Sequence, residues 1–280
     1  MNTLRIMNTD SLRAHVPSAY AERPYHNVSN RYEYIPTYPL IEALQKQGWE
    51  PIKAYESRTR LADKRGYTKH LIRFVNPDLK LPSVGDTFQA LVLTNAHDAT
   101  AAYHLFAGLF RLVCYNGMVT ERRDKRETMI SIRHSAKAIA ELEQAHSRIL
   151  LGAKQTSEEV ERFNAIDLTT SEQLVYARSA LELRWPSVEH ENGALLPSAP
   201  ITPNQLLYTH RFEDRQRPTM WQTLNIVQEN LLEGGLPGHT ATGGRTTTRA
   251  VKSVDGDVRL NRALWRLAQE MSALKVAATA

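Results

Sequence analysis

Apolar residues crowd most densely between residues 91 and 119, LVLTNAHDATAAYHLFAGLFRLVCYNGMV. Phe88–Thr94 is rich in apolar and β-favouring types and predicts a buried strand. Asn95, His97 and Asp98 then predict a turn, because Asn and Asp side chains bond nearby backbone groups. A second run starts at Tyr103 and ends at Cys114. At period two, Tyr103, Leu105, Ala107, Leu109 and Val113 share one face with Arg111. His104, Phe106, Gly108, Phe110, Leu112 and Cys114 share the other. Apolar types on both faces predict a central strand covered on both sides. A helix over 99–110 stays open as an alternative, since periodicity cannot settle so apolar a run. Gly108 favours the strand, with a close backbone approach. Asn116 and Gly117 close the run as a turn.

The remaining elements follow in order. Residues 1–30, broken by Pro17 and Pro24, read as an irregular N-terminal arm, disordered in the free protein. Arg31–Ile35 reads as a short strand. Thr37 is placed to cap a helix over Pro39–Gln47 that ends at Gly48. Trp49–Ser57 and His70–Val75 read as strands joined by the basic loop RTRLADKRGYTK. Thr120–Thr128 is a charged loop, Met129–His134 a strand, and Ser135 a cap for a helix over 136–151. Thr156 with Glu159 and Thr170 with Gln173 match capping boxes. The helix after Thr170 carries Leu174, Val175, Leu181 and Leu183. Residues 186–203 read as a flexible loop and 238–244 as a mobile one. Thr202 and Thr219 each open a helix, the second ending at Gly234 and Gly235. Asp257 caps a last helix striped by Leu260, Leu264, Leu267, Met271 and Leu274. Strands come first and helices after. The fold class expected is α+β: an antiparallel sheet over about 31–134 packed with helices, then a helical C-terminal half. Residues 31–275 form one domain, with sub-lobes at 31–151 and 152–275.

Composition narrows the class. The 280 residues are 42% hydrophobic and 23% charged, as in globular proteins. No apolar run reaches the roughly 18 residues of a membrane helix. The N-terminus lacks a signal-peptide core. The single cysteine, Cys114, excludes an internal disulfide and a multi-cysteine zinc site. A cytoplasmic protein without cofactor or metal is expected. A net charge of +5 and a pI near 9.3 permit nucleic-acid binding without requiring it.

The charges fall in three groups. The first holds Lys53, Arg58, Arg60, Lys64, Arg65, Lys69 and Arg73. The second holds Arg111, Arg122, Arg123, Lys125, Arg126 and Arg133. The third holds Arg245, Arg249, Lys252 and Arg259 in a threonine-rich segment. Cations pair with phosphates, and threonine hydroxyls add neutral contacts. Tyr67 and Tyr115 lie beside the first two groups, an interleaving that suits single strands, whose bases can stack. The alternative is a solvated surface neutralised by acids such as Asp63, Glu121 and Asp124. His97 and Asp98, with His104 and His70 nearby, could serve acid–base chemistry, or form an Asx-type turn. Gln228 and Asn225 fall on or beside the apolar face of the helix after Thr219 and predict a buried polar network. No Walker A loop, GxGxxG, GxSxG, kinase or zinc-deaminase pattern occurs.

Several segments, in order, carry a resemblance. GWEPIKAYESRTR, GYTKHLIRF, the 91–119 stretch, MWQTLNIVQENLLEGG and RAVKSVDGDVRLNRALWRLAQEM resemble the phage/plasmid-like proteins called domain of unknown function 932, from about Arg31 to Leu274. That resemblance implies a mobile-element context and carries no catalytic residues. The function expected is nucleic-acid binding, single-stranded DNA favoured, in annealing, recombination, replication or plasmid maintenance, with homo-oligomers in the annealing version. The alternatives are a protein-binding factor that counters a host defence, and an enzyme centred on His97, Asp98 and His104.

Overall fold

A computed structural model describes residues 4–29, 32–81, 87–111, 116–120, 129–132, 156–189, 193, 195–211, 213–215 and 217–279. The chain forms two compact units, Met1–Ser157 and Glu158–Ala280. It is an α+β protein, with its large sheet in the first unit and mainly helices in the second.

The sheet has six strands among the described residues, every pairing antiparallel. They are β1 (Glu50–Glu56), β2 (His70–Leu81), β3 (Thr87–Asn95), β4 (Tyr103–Arg111), β5 (Asn116–Val119) and β6 (Met129–Ile132). The order is β1-β2-β3-β4-β5, with β6 also paired to β4. The register slips between Pro51 and Lys53 and again between Val75 and Lys80, a stretch that holds Pro77. Proline has no N–H for the ladder, so bulges collect there. Residues 103–111, left open between strand and helix by periodicity, are strand. Gly108 has a packing reason: a Cβ there would lie 2.4 Å from the Met118 carbonyl oxygen. Asn116 and Gly117 do not form the expected turn; they belong to β5, opposite Arg111 and Phe110.

The two sheet faces bury different sets. Ala54, Ile72, Phe74, Leu91, Leu93, Leu105 and Ala107 pack with Leu12, Val16, Ala19, Ile41, Leu44 and Trp49. Val75, Phe88, Ala90 and Phe110 pack with Ile52 on the other face. The N-terminal arm is therefore not irregular. It forms α1 (Thr9–His15) and a 3₁₀ turn (Pro17–Tyr20). Asn8 caps α1 through the Ser11 N–H, and Leu12, Val16 and Ala19 give the arm an apolar stripe to bury. Residues 32–36 are not strand. Helix α2 (Tyr38–Lys46) begins after Thr37, but the Thr37 side chain makes no cap bond.

The second unit contains all but the first two residues of α3 (156–165), and α4 (Thr170–Arg184), α5 (Pro203–Leu206), α6 (Met220–Glu233) and α7 (Val254–Thr279). Two hairpins accompany them: β7 (Val188–Glu189) with β8 (Leu195–Leu196), and β9 (Pro237–His239) with β10 (Arg245–Thr247). The segment 186–203, expected as a loop, thus contains the paired strands β7 and β8, whereas 240–244 is a loop that joins β9 to β10. The capping box of α4 uses Thr169 and Glu172, one residue before the expected pair; that of α5 uses Thr202 and Gln205 as expected. Asp257 lies inside α7, and Ser253 receives the Gly256 N–H at its start. Leu274 and Val175 are exposed; the buried stripes run through Leu264, Trp265 and Ala268 on α7 and Tyr176, Ala177 and Ala180 on α4. The Tyr176 hydroxyl donates to the Leu264 carbonyl, and Phe163 packs on Trp265.

Candidate nucleic-acid interface

The connection from β1 to β2 is an ordered loop. The Ser57 N–H donates to the Lys69 carbonyl at its neck, Ala62–Lys64 form a 3₁₀ turn, and Gly66 takes φ +82°. Arg58, Arg60 and Arg65 are exposed, and Lys64, Tyr67 and Lys69 are half-buried. Among the described residues, Arg58, Arg60 and Arg65 form no ion pair. Tyr67 faces Tyr25, with ring centroids 5.8 Å apart, and the exposed His26 lies 4.3 Å from Tyr25. Lys64 sits 5.3 Å from the centre of the Tyr25 ring and 3.4 Å from Asp98. The Tyr25 hydroxyl donates to Asp63 at 2.5 Å; this bond raises the Tyr25 pKa and lowers that of Asp63. Of the acids that might have neutralised the first group, Asp63 is thus engaged by a tyrosine. Arg58, Arg60 and Arg65 thus share the loop with the half-buried Tyr67, whose ring packs on the buried Tyr25.

Beneath the loop lies a polar cluster that the sequence did not announce. Ser18, Thr37, His70, Asn95 and His97 are each 0% exposed. The Thr37 hydroxyl is their hub. It lies 3.1 Å from Nε2 of His70, 3.1 Å from Nε2 of His97 and 3.3 Å from the Tyr103 hydroxyl, and receives the Asn95 amide N–H at 3.0 Å. Ser18 Oγ meets Nδ1 of His70 at 2.9 Å, and the Tyr103 hydroxyl donates to the Ile35 carbonyl at 2.6 Å. A hydroxyl has one proton and two lone pairs; Asn95 uses one lone pair, and His70, His97 and Tyr103 share what remains. Sheet register explains the meeting: His70 pairs with Asn95 across β2 and β3, on the face that Tyr103 also occupies.

The cluster holds the interface above it. The His97 N–H donates to the Tyr67 carbonyl at 3.0 Å, and the Tyr25 N–H donates to the His97 carbonyl at 2.9 Å. One residue thereby fixes both tyrosines of the pair. The Tyr34 ring lies 5.0 Å from that of His97, and burial pushes its hydroxyl up to about 12. Enclosed as it is, the cluster positions segments and offers no surface for a substrate.

The other sequence-predicted residues divide clearly. His97, Asp98 and His104 do not converge. Asp98 accepts from the Thr100 N–H and hydroxyl, with Ala99 at φ +61°, so the Asx-type turn is what forms. His104 stacks on Phe106, on the sheet face opposite Tyr103. Arg73 and Arg111 are buried, 2% and 7% exposed, which removes their guanidinium groups from the surface set. The Arg73 side chain lies over Gly117, where any Cβ would collide with it. Cys114, Tyr115, Arg122, Arg123, Lys125, Arg126 and Arg133, and the helix expected over 136–151, lie outside the described residues.

In the second unit, Arg245, Arg249, Lys252 and Arg259 are exposed. Gln228 and Asn225, expected to share a polar network, are both buried on α6, and the Asn225 amide bonds within the helix. Gln228 donates to Asn261 at 2.6 Å, Asn261 donates to the Asp257 carboxylate at 2.6 Å, and Asn225 donates to the Trp221 carbonyl. The Gln228–Asn261 bond joins α6 to α7. Among the described residues no group of three His, Cys, Asp or Glu could hold a metal, and no helix is long and apolar enough to cross a membrane.

A family model described as Domain of unknown function (DUF932) matches residues 24–265. The chain belongs to this family. It is similar to UPF0380 protein YfjQ and to UPF0380 protein YafZ, both of Escherichia coli (strain K12). Each is 33% identical over 267 residues, covering 95% of this chain and 92% of the relative. No solved structure matches the chain. The span matched to DUF932 includes the basic loop, Thr37 and both histidines of the hub; Ser18 lies before it.

Proposed function

We propose that this DUF932 protein binds nucleic acid, with single-stranded DNA preferred, through the loop between β1 and β2. The observation that supports the reading is the trio Arg58, Arg60 and Arg65, exposed and, among the described residues, without carboxylate partners, on the loop that also carries the half-buried Tyr67. Arginines would neutralise phosphates, Lys64 and Lys69 would add charge, and unstacked bases would lie against Tyr67 and His26. The role in view is strand handling for a phage or plasmid, in annealing, recombination, replication or maintenance. The test is salt-dependent binding of nuclease-treated protein to a labelled single strand. Replacing Arg58, Arg60 and Arg65 by alanine lowers affinity for every sequence alike and reduces the salt slope by roughly 2, three phosphates at about 0.7 each. Unchanged affinity would sink the assignment.

A second reading, a protein-binding factor that counters a host defence, has one observation in its favour. The β7–β8 hairpin exposes Val188, Leu195 and Leu196. A nuclease-resistant, stoichiometric partner lost on replacing these three by serine would select it over the first.

A further inference from the structure

We infer that the β9–β10 hairpin of the second unit is a separate contact for duplex DNA, a two-stranded ribbon that enters the major groove. The inference rests on the nucleic-acid reading above and adds a second form of substrate, bound at a second place.

The hairpin has one face down and one face out. Arg245 pairs with His239, Thr246 with Gly238 and Thr247 with Pro237. A Cβ on Gly238 would lie 2.1 Å from the Pro200 carbonyl oxygen, so the Gly238–Thr246 side is pressed onto the body of the unit. By alternation His239, Arg245, Pro237 and Thr247 take the other side, and all four are exposed. The base is fastened. The His239 N–H donates to the Pro200 carbonyl, the Gln205 amide to the Pro237 carbonyl, and the Leu236 N–H to the Thr248 hydroxyl.

The tip, Thr240–Gly244, is exposed throughout and still ordered. The Thr240 N–H donates to the Gly244 carbonyl at 2.8 Å, and the Thr240 hydroxyl receives the Gly244 N–H at 3.0 Å. Its residues are Thr, Ala, Thr, Gly and Gly, so the ribbon is slender where it projects. Arg245, Arg249 and Lys252 stand at and below it, with no ion pair among the described residues.

This chemistry differs from that of the loop in the first unit. No Phe, Trp or Tyr occurs between 237 and 252. The hairpin's own outer face offers one imidazole, His239, and no phenol, phenyl or indole, and a duplex, which keeps its bases stacked, requires none. What a duplex offers is a phosphate rail and a major groove about 12 Å wide, which admits a two-stranded ribbon. Cations and threonine hydroxyls meet the phosphates, and small tip residues allow close approach to base edges. The deep, narrow major groove of A-form RNA excludes such a ribbon, which selects DNA.

The test uses the full chain and three probes of one sequence: a blunt DNA duplex, one of its strands, and the RNA duplex. Two variants are compared with wild type, R245A/R249A/K252A and Ala241→Glu, the latter placing a carboxylate at the tip without removing a cation. For the triple variant, DNA-duplex affinity falls about tenfold or more and its salt slope drops by about 3, while single-strand affinity stays within about twofold. Ala241→Glu weakens the DNA duplex alone, with an unchanged melting temperature. Single-strand binding that falls in parallel overturns the inference, as does a DNA duplex bound equally by all three proteins, or an RNA duplex bound as tightly as DNA. The Arg58, Arg60 and Arg65 variant is read separately on the strand: if it loses strand binding while the hairpin variants keep the duplex, the hairpin inference fails and the loop reading stands.

Discussion

Each unit buries a polar cluster of its own, and these two are built in opposite ways. In the second unit Gln228, Asn261 and Asp257 lie on α6 and α7. Their partners are one or two turns away or on the adjacent helix. In the first unit one hydroxyl, Thr37, gathers His70, Asn95, His97 and Tyr103 from separate segments, and Ser18 joins through His70. An amide pair between two helices fixes their register and little else. A hub that ties the N-terminal arm, the start of α2 and three strands decides whether the sheet end exists as a surface. The candidate interface sits on that end, since the His97 backbone bonds both Tyr67 and Tyr25. A buried polar group has reach in proportion to the sequence distance it spans.

The largest test of that contrast is Thr37→Val, which keeps the shape and removes the hydroxyl. Because Thr37 makes no cap bond, no cap is lost with it. Withdrawing the shared partner of four buried side chains should destabilise the first unit by about 2–3 kcal/mol in denaturant unfolding. Single-strand affinity should fall with it. A loss below about 1 kcal/mol would show that the rings do not depend on the hub.

Gln228→Leu and Asn261→Leu come next. Each alone should cost about 1–2 kcal/mol by stranding a buried amide, and the double variant less than their sum. Strand binding should be untouched by all three. Additive losses would mean that the 2.6 Å contact carries no coupling, and a fall in strand affinity would end the contrast between the clusters.

The smallest effect concerns charge in the second unit. Lys275 first, then the Thr169 N–H, hold the Glu172 pKa at about 2, below its ordinary 4.5. A carboxylate whose folded value is depressed stabilises fully above the ordinary value, and that stabilisation is lost as pH falls through 4.5 toward about 2. Lys275→Met should move the Glu172 titration upward, read by carboxyl NMR, without bringing it fully to 4.5 because Thr169 still donates. An unmoved titration would assign the whole shift to the helix cap.

Much of the local structure was determined by sequence alone. The strands at 88–94 and 103–111, the helix stop at Gly234, the Thr202 and Thr219 caps and the buried Gln228 all follow from periodicity or from residues within one turn. The Asx-type turn at Asp98 was legible as well, since it needs only Thr100. Tertiary structure decided what depends on distant neighbours. Thr37 has the residue type and position of a helix cap, and the packing of β2, β3 and β4 against it turned its hydroxyl inward. Arg73 and Arg111 look like surface cations in the sequence, yet strand alternation in a sheet covered on both faces buries them. The N-terminal arm reads as irregular because α1 spans only seven residues, too short to be stable alone; Leu12, Val16 and Ala19 are ordered by the sheet they cover. Periodicity reports one element at a time. The Thr37 hub is made where elements far apart in the chain meet.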